Sequence, residues 1–321
     1  MYVKRQEECL LRIVRPCSMR KFHTGDEIGG YRIVRPLGEG GMGAVFEVEH
    51  VRLGVHYALK TFTFEAEFAD VMKQKFLTEG KVLARLRDAH IVRVFDLDYD
   101  EASGTPYFVM DLVLYRDGNP HTLKDVDTSD IQEEYLVRWF DDLAQALDYI
   151  HFNGIVHRDI KLGNVLLGAD KHVVLSDFGV SRFTGRNLAK ELDAVRTAVT
   201  GHATQRLVMG TSGYMAPEVR RGRTATIAAD SYSLGVMFVY LLTGMWYERG
   251  SKALRILDGF DYDWGLVLPQ LLEEDPERRA TDLVPMARSL WASKKKDEDD
   301  VPKWMLGIWN GARACWRNLR G

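Results

Sequence analysis

The chain has very little cysteine. Only Cys9, Cys17 and Cys315 occur in 321 residues, all near the termini. The body between them therefore holds neither a disulfide framework nor a cysteine-based metal site, which fits a reducing compartment. Cys9 and Cys17 are near enough in sequence to pair, but two free thiols are the expectation there. No apolar run is long enough to cross a bilayer. The first residues lack the continuous apolar core of a signal peptide, so a cytoplasmic protein is expected. Charge of one sign is also lacking: 43 Lys and Arg face 46 Asp and Glu, for a net charge of -3. That balance gives no whole-chain attraction to nucleic acid, and none is expected as a partner. What remains is ordinary for a globular protein, and the length allows one large or two modest domains.

The densest chemistry lies in His157-Arg158-Asp159-Ile160-Lys161-Leu162-Gly163-Asn164, between the apolar runs Gly154-Ile155-Val156 and Val165-Leu166-Leu167. Ordering so many polar groups between buried strands is costly, which points to a reaction site. Asp159 can accept a proton from an alcohol, Lys161 can hold a phosphate, and Asn164 can hold a metal ion. The stretch resembles the catalytic loop of the protein kinases, H-R-D-x-K-x-x-N, with the Asp as base and the Asn as a magnesium ligand.

The other parts follow in order. Tyr31 to Leu37 reads as a strand, and Gly38, Gly40 and Gly43 form G-x-G-x-x-G, with Val45 two residues later. Glycines let a backbone approach phosphate oxygens closely. A dinucleotide-binding glycine run opens a helix. Here Ala44 to Glu49 alternates as a second strand, and strand, glycine loop, strand is the kinase arrangement. Val55 to Lys60 is a further strand ending on a lysine, similar to V-A-I-K. The resemblance implies that Lys60 contacts the α- and β-phosphates of ATP and pairs with Glu79, on a helix expected over about residues 68–87. His90 to Phe95 and Pro106 to Met110 read as two more strands around an acidic turn. Met110 resembles the gatekeeper, and the backbone of Asp111 and Val113 the part that takes adenine. Leu37, Val45, Ala58 and Leu166 complete the implied nucleotide pocket. Leu114 to His121 is longer and more polar than the usual exit from this hinge; within it Asp117 is the candidate for the ribose.

Ile131 to Asn153 has the three- and four-residue apolar spacing of a long amphipathic helix, with Gly154 as its C-cap. Lys171 to Ser176 reads as a strand leading into Asp177-Phe178-Gly179, eighteen residues beyond Asp159. Asp177 is the second implied metal ligand beside Asn164. A polar, threonine-rich segment then runs to Ala216-Pro217-Glu218. It resembles an activation segment, with Thr197, Thr200 and Thr204 as candidates for phosphorylation, Thr204 favoured, and Arg158 as the cation that receives the phosphate. Thr211 resembles the residue that bonds the catalytic Asp and Lys in kinases acting on Ser or Thr. Asp230, opening an apolar helix, is expected to pin the catalytic-loop backbone, and Arg279 to be the buried partner of Glu218. Met245-Trp246-Tyr247 stands where the family has Pro-Phe.

The resemblance implies an α+β fold of two lobes, an antiparallel sheet with one helix and then a mainly helical lobe. The expected organisation is a tail over 1–30, a kinase domain over 31–292 divided at 113/114, and a charged linker and tail over 293–321. Residues 304–320 form a Trp-rich basic stripe, expected to dock on the domain or a partner, with a membrane surface as the other reading. The implied reaction is transfer of the γ-phosphoryl group of ATP, with Mg2+ or Mn2+, to Ser or Thr of protein substrates. A transient homodimer would serve autophosphorylation. The alternative is a scaffold of the same fold without catalysis; the presence of Lys60, Asp159, Asn164 and Asp177 together favours the enzyme. The wording of the glycine loop is similar to that of bacterial kinases related to the eukaryotic Ser/Thr kinases.

Overall fold

Alternating apolar and polar residues build a sheet in the first part of the chain. Its strands are β1 (Glu27–Ile28), β2 (Tyr31–Gly40), β3 (Gly43–His50), β4 (His56–Thr61), β5 (Val94–Tyr99) and β6 (Pro106–Met110). They pair antiparallel in the order β1-β2-β3-β4-β6-β5. This computed structural model describes residues 21–40, 43–62, 76, 80, 83–129, 131–177, 182–183, 213–248 and 252–294. The chain divides into two units, 1–120 and 121–321.

The sheet has two different faces. Ile28, Tyr31, Ile33, Phe46, Val48, Leu59, Tyr107 and Val109 form one buried cluster. The register pairs Arg35 with Glu47, Val45 with Lys60, Glu47 with Ala58, Ala58 with Met110, and Lys60 with Phe108. Directly paired residues share a face, so this second set lines the opposite side. Helical residues cover one end of that side: Phe76 stacks on Phe108 with ring centroids 4.3 Å apart. Gly80 packs so closely that a Cβ there would lie 1.7 Å from Leu97 Cδ1.

One strand differs from the sequence reading. The segment expected over 90–95 begins at Val94 and runs on to Tyr99, because Val94 is the first residue to pair with Met110. Ile91 makes only an isolated bridge and Val92 none, though both are buried. The acidic turn is confined to residues 100–105, where Asp100 Oδ2 accepts from the Ser103 N–H and hydroxyl.

In the second unit, β7 (His121–Thr122), β9 (Val165–Leu167) and β10 (Val173–Leu175) form a small sheet, and β8 (Ile155–Val156) pairs with β11 (Arg182–Phe183). The helices are α1 (Glu133–Phe152), α2 (Pro217–Arg220), α3 (Ile227–Thr243), α4 (Trp264–Leu271) and α5 (Leu283–Ala292). α1 buries Leu136, Trp139, Phe140, Leu143, Leu147 and Ile150 at helical spacing. Each such side chain stabilises the fold by roughly 1.5–3 kcal/mol. The chain leaves α1 through Asn153, and Gly154 follows with φ +74, the left-handed position that glycine fills cheaply. α3 is apolar nearly all round and almost wholly buried, as such a helix must be. It starts three residues before Asp230, which therefore sits in its first turn. Among the described residues no helix is long and apolar enough to cross a membrane.

Candidate active site

In the first unit, the glycine motif is the tip of the β2–β3 hairpin, paired through Gly38 with Val45, Glu39 with Ala44 and Gly40 with Gly43. Thr61 fastens this tip to β4: its hydroxyl accepts from the Ala44 N–H and donates to the Ala44 carbonyl, both at 3.2 Å. Gly43 is what allows the approach, since a Cβ there would lie 1.9 Å from the Thr61 carbonyl oxygen. The register sets Val45 directly beside Lys60. Lys60 is half-buried, and its Nζ lies 5.6 Å from the centroid of the Phe62 ring. Leu37, Val45 and Met110 are half-buried and Ala58 is buried. The Asp111 N–H donates to the Arg93 carbonyl at 3.0 Å, and Asp111 Oδ2 accepts from the Arg93 N–H at 2.8 Å. Of the Asp111 backbone, the carbonyl is thus the group with capacity for a base. Beyond Val113, residues 115–119 make a tight turn, with the Tyr115 N–H donating to the Asn119 carbonyl at 2.8 Å. Asp117 caps this turn by accepting from the Asn119 N–H.

In the second unit, the polar loop is held by a buried carboxylate. Asp230, fully buried, accepts from the His157 N–H at 2.8 Å and the Arg158 N–H at 2.7 Å. His151 Nε2 is 2.9 Å from the same carboxylate. Arg158 has φ +71 and Asp177 φ +57. Such left-handed backbone costs roughly 1–3 kcal/mol per non-glycine residue and persists only where surroundings impose it. Here they do. The His157 ring bonds the Ser176 carbonyl through Nε2 at 3.1 Å and accepts the Asp159 N–H at Nδ1, which fixes a neutral tautomer with the proton on Nε2. Burial keeps that imidazole below the usual histidine value despite the nearby Asp230. The Ser176 N–H and hydroxyl both donate to the Asn164 carbonyl, at 2.8 and 3.0 Å. Asp177 follows immediately and is exposed.

Asp159, Lys161 and Asn164 come together on this frame. Asp159 Oδ2 accepts from Lys161 Nζ at 2.7 Å and from Asn164 Nδ2 at 2.9 Å. Asn164 Nδ2 also donates to the Asp159 carbonyl at 2.8 Å. With Nδ2 so engaged, Oδ1 is the atom of Asn164 that can face a cation. The oxygen atoms here that could hold a metal are the Asn164 amide oxygen and the Asp177 carboxylate. Among the described residues no group of three or more His, Cys, Asp or Glu could hold a metal alone. Two hard oxygen donors suit Mg2+ or a similar cation that keeps water and takes phosphate oxygens as its other ligands. Leu166, half-buried on β9, pairs with Val174.

Below the loop, Glu218 and Arg279 form a bidentate pair at 2.7 and 2.9 Å. Arg279 also donates to the carbonyls of Ala228, Glu273 and Glu274. Burial alone would raise the Glu218 carboxyl, but the Arg279 hydrogen bonds and charge outweigh it and hold it below the usual glutamate range. Tyr214, whose hydroxyl burial pushes up to about 12, bonds the backbone of Leu162. The unusual Trp246 packs edge-on against Tyr214 and lies against Tyr240.

Glu79, Phe178, Gly179, Thr197, Thr200, Thr204, Thr211 and residues 304–320 lie outside the described residues. Sequence reasoning gave no role to Ser176, whose only signal is its place just before Asp177. It also missed Arg35, Glu47 and His56, which the sheet register brings together.

Residues 31–259 match the family model for the protein kinase domain. Among curated proteins, the serine/threonine-protein kinase PknA of Mycobacterium tuberculosis is 32% identical over 265 residues, covering 82% of this chain and 55% of that protein. PknJ of the same organism is 35% identical over 226 residues, covering 69% of this chain and 35% of its own length. The chain thus spans about half or less of the length of these relatives. Among solved structures, the M. tuberculosis PknI kinase domain superposes with a TM-score of 0.61 at 25% identity, covering 85% of this chain and 99% of that one. With the glycine hairpin, the lysine strand and the pinned polar loop all in place, the chain belongs to the protein kinase family.

Proposed function

We propose that the protein is a serine/threonine protein kinase that transfers the γ-phosphoryl group of ATP to a hydroxyl of a protein substrate. The observation that carries this reading is the Asp159 carboxylate, gripped by Lys161 and Asn164 on a backbone that Asp230 pins. In the reaction the substrate oxygen attacks the γ-phosphorus, the bond from that phosphorus to the β–γ bridging oxygen breaks, and ADP leaves. Asp159 orients the hydroxyl and accepts its proton. Lys161 lies within reach of the same carboxylate and offsets negative charge on the transferred group. Lys60 holds the α- and β-phosphates, with Glu79 as its partner, and the glycine hairpin offers backbone N–H groups. Asn164 Oδ1 and Asp177 hold the divalent cation, Mg2+ or Mn2+, which supplies charge neutralisation when bound. The adenine lies against Leu37, Val45, Ala58 and Met110 and the backbone of Asp111 and Val113. Catalysis is then chiefly positioning and electrostatic stabilisation.

Phosphorylation of the threonine-rich segment, at Thr204 before Thr200 or Thr197, regulates the enzyme in this reading, with Arg158 receiving the phosphate and Thr211 bridging Asp159 and Lys161. Turnover of labelled ATP by the protein and by Asp159→Asn tests it. Label on Ser or Thr with the unaltered protein, and none with the variant, is the expected result. ATP binding with no transfer to any protein substrate, before or after treatment with an active kinase, would turn the reading towards a scaffold.

A further inference from the structure

A charged cluster on the sheet goes unused in the reaction just described. Glu47 is buried on β3. Its Oε2 accepts from Arg35 Nε at 2.7 Å and its Oε1 lies 2.7 Å from His56 Nδ1. Arg35 uses its other two nitrogens on a different segment: Nη1 donates to Asn119 Oδ1 at 2.9 Å and Nη2 to the Gly118 carbonyl at 2.5 Å. One guanidinium therefore joins β2 and β3 to the turn at 115–119.

The position of this cluster matters. Glu47 pairs with Ala58, and Val45, two residues along β3, pairs with Lys60. Two residues of strand span about 7 Å, and both side chains point to one face. Arg35 and Glu47 thus continue the row Lys60, Val45, Ala58, on the side that the nucleotide reading assigns to ATP. The chain from Asp111 to Asn119 is fastened at both ends: at Asp111 by two hydrogen bonds with Arg93, and at Gly118 and Asn119 by Arg35. Between these anchors lie the Asp111 carbonyl and Val113, the backbone proposed to take adenine.

We infer that Arg35 is a positioning residue for the nucleotide: by bonding Glu47, Gly118 and Asn119 at once, it clamps the 111–119 strap to the ATP-facing side of the sheet and sets the affinity for the base. This rests on the nucleotide reading above. Its buried anchor is what makes the clamp stiff. A guanidinium held on all three nitrogens cannot be replaced by an ammonium, which meets one or two of the partners but not the fork. The length and polarity of the 114–121 stretch, which depart from the family's pattern, then have a purpose: they supply the carbonyl and amide that Arg35 grips.

The test compares binding of a non-hydrolysable ATP analogue with Mg2+, and KM and kcat for ATP, across Arg35→Lys, Arg35→Ala, Asn119→Ala and Lys60→Met. Arg35→Lys keeps a cation opposite Glu47, so it decides the matter should Arg35→Ala not fold. The expected result is that Arg35→Lys raises the KM for ATP roughly fivefold or more, with Asn119→Ala in the same direction and the loss falling on KM rather than kcat. An equal loss in kcat, or KM values for both Arg35→Lys and Asn119→Ala within about twofold of the unaltered protein, would overturn the clamp while Lys60→Met still lost binding. If the unaltered protein bound no analogue, or Lys60→Met bound it undiminished, the nucleotide reading would fall and this inference with it.

Discussion

Two acid–base pairs in the second unit have the same shortest distance, 2.7 Å, and opposite settings. Lys161 and Asp159 are each about a quarter exposed, whereas the side chains of Arg279 and Glu218 are 0% and 4% exposed. Glu218 and Arg279 meet in a fixed fork and have backbone carbonyls around them. Asp159 shares one oxygen between a lysine and an amide and stays partly open to solvent. A sealed pair stores the cost of breaking it; an open pair holds charge ready for a third party. Equal geometry thus makes a fixed joint in one place and, in the proposed reaction, a working pair in the other.

The sharpest way to break this contrast is Asp159→Asn. Transfer should fall by roughly 10²–10⁴-fold, the range for losing a positioned base. The melting temperature should move by no more than about 2 °C. Parallel kinetic and thermal measurements that found a collapse of folding would show the open pair to be a joint after all. Next comes Arg279→Met, which strands a buried carboxylate and should cost roughly 3–5 kcal/mol in urea unfolding. Replacing both partners, Glu218→Leu with Arg279→Met, should recover much of that loss; failure to recover would mean that the bonds of Arg279 to three carbonyls, not the ion pair, hold the joint.

Acid sharpens the comparison further. The Glu218 carboxyl is held below its ordinary value of 4.5 in the fold. Its contribution is complete above that value and is lost as pH falls through the lowered one. Stability between pH 5 and pH 3 should therefore decline less steeply in Glu218→Gln than in the unaltered protein, by roughly 1 kcal/mol or less per pH unit. Glu133 should act with the opposite sign. It accepts the N–H groups of Asp261, Tyr262 and Trp264 but meets no cation in these contacts. Burial raises its carboxyl in spite of those donors. Its contribution is present below the ordinary value and is lost as pH rises through the raised one, so Glu133→Gln should remove that decline. The smallest effect belongs to Lys161→Ala: under about 1 kcal/mol of stability, as for a partly solvated pair, but a clear loss of transfer.

Much of this was legible in the sequence because it depends on residue type and order. Asp159, Lys161 and Asn164 lie within six residues, so a short loop brings them together without long-range information. Asp230 and the Glu218–Arg279 joint were legible through the family pattern, which encodes distant contacts that spacing alone does not. The Arg35 cluster was not legible. Simple alternation would put Arg35 on the same face as Ile33, inside the core. A register shift between Ile33 and Arg35 turns it to the other side, opposite Glu47. A bulge of one residue reverses the facing of everything beyond it, and nothing in the local composition announces it. The strand at 94–99 was misplaced for a related reason: buried Ile91 and Val92 look like strand residues, yet Ile91 makes only an isolated bridge and Val92 lies outside the ladder.

The glycine hairpin has a consequence for how the gene can drift. The three glycines of its motif look equivalent as letters, but random substitution meets them unequally. A methyl group added at Gly38 encounters nothing within 4 Å, while at Gly43 it would stand 1.9 Å from a backbone oxygen that cannot swing aside. Alanine at the first position is a change that selection for fold alone could overlook. At the third it forces the hairpin off β4 and takes Val45 away from Lys60, so that codon is held fixed by its neighbour's main chain.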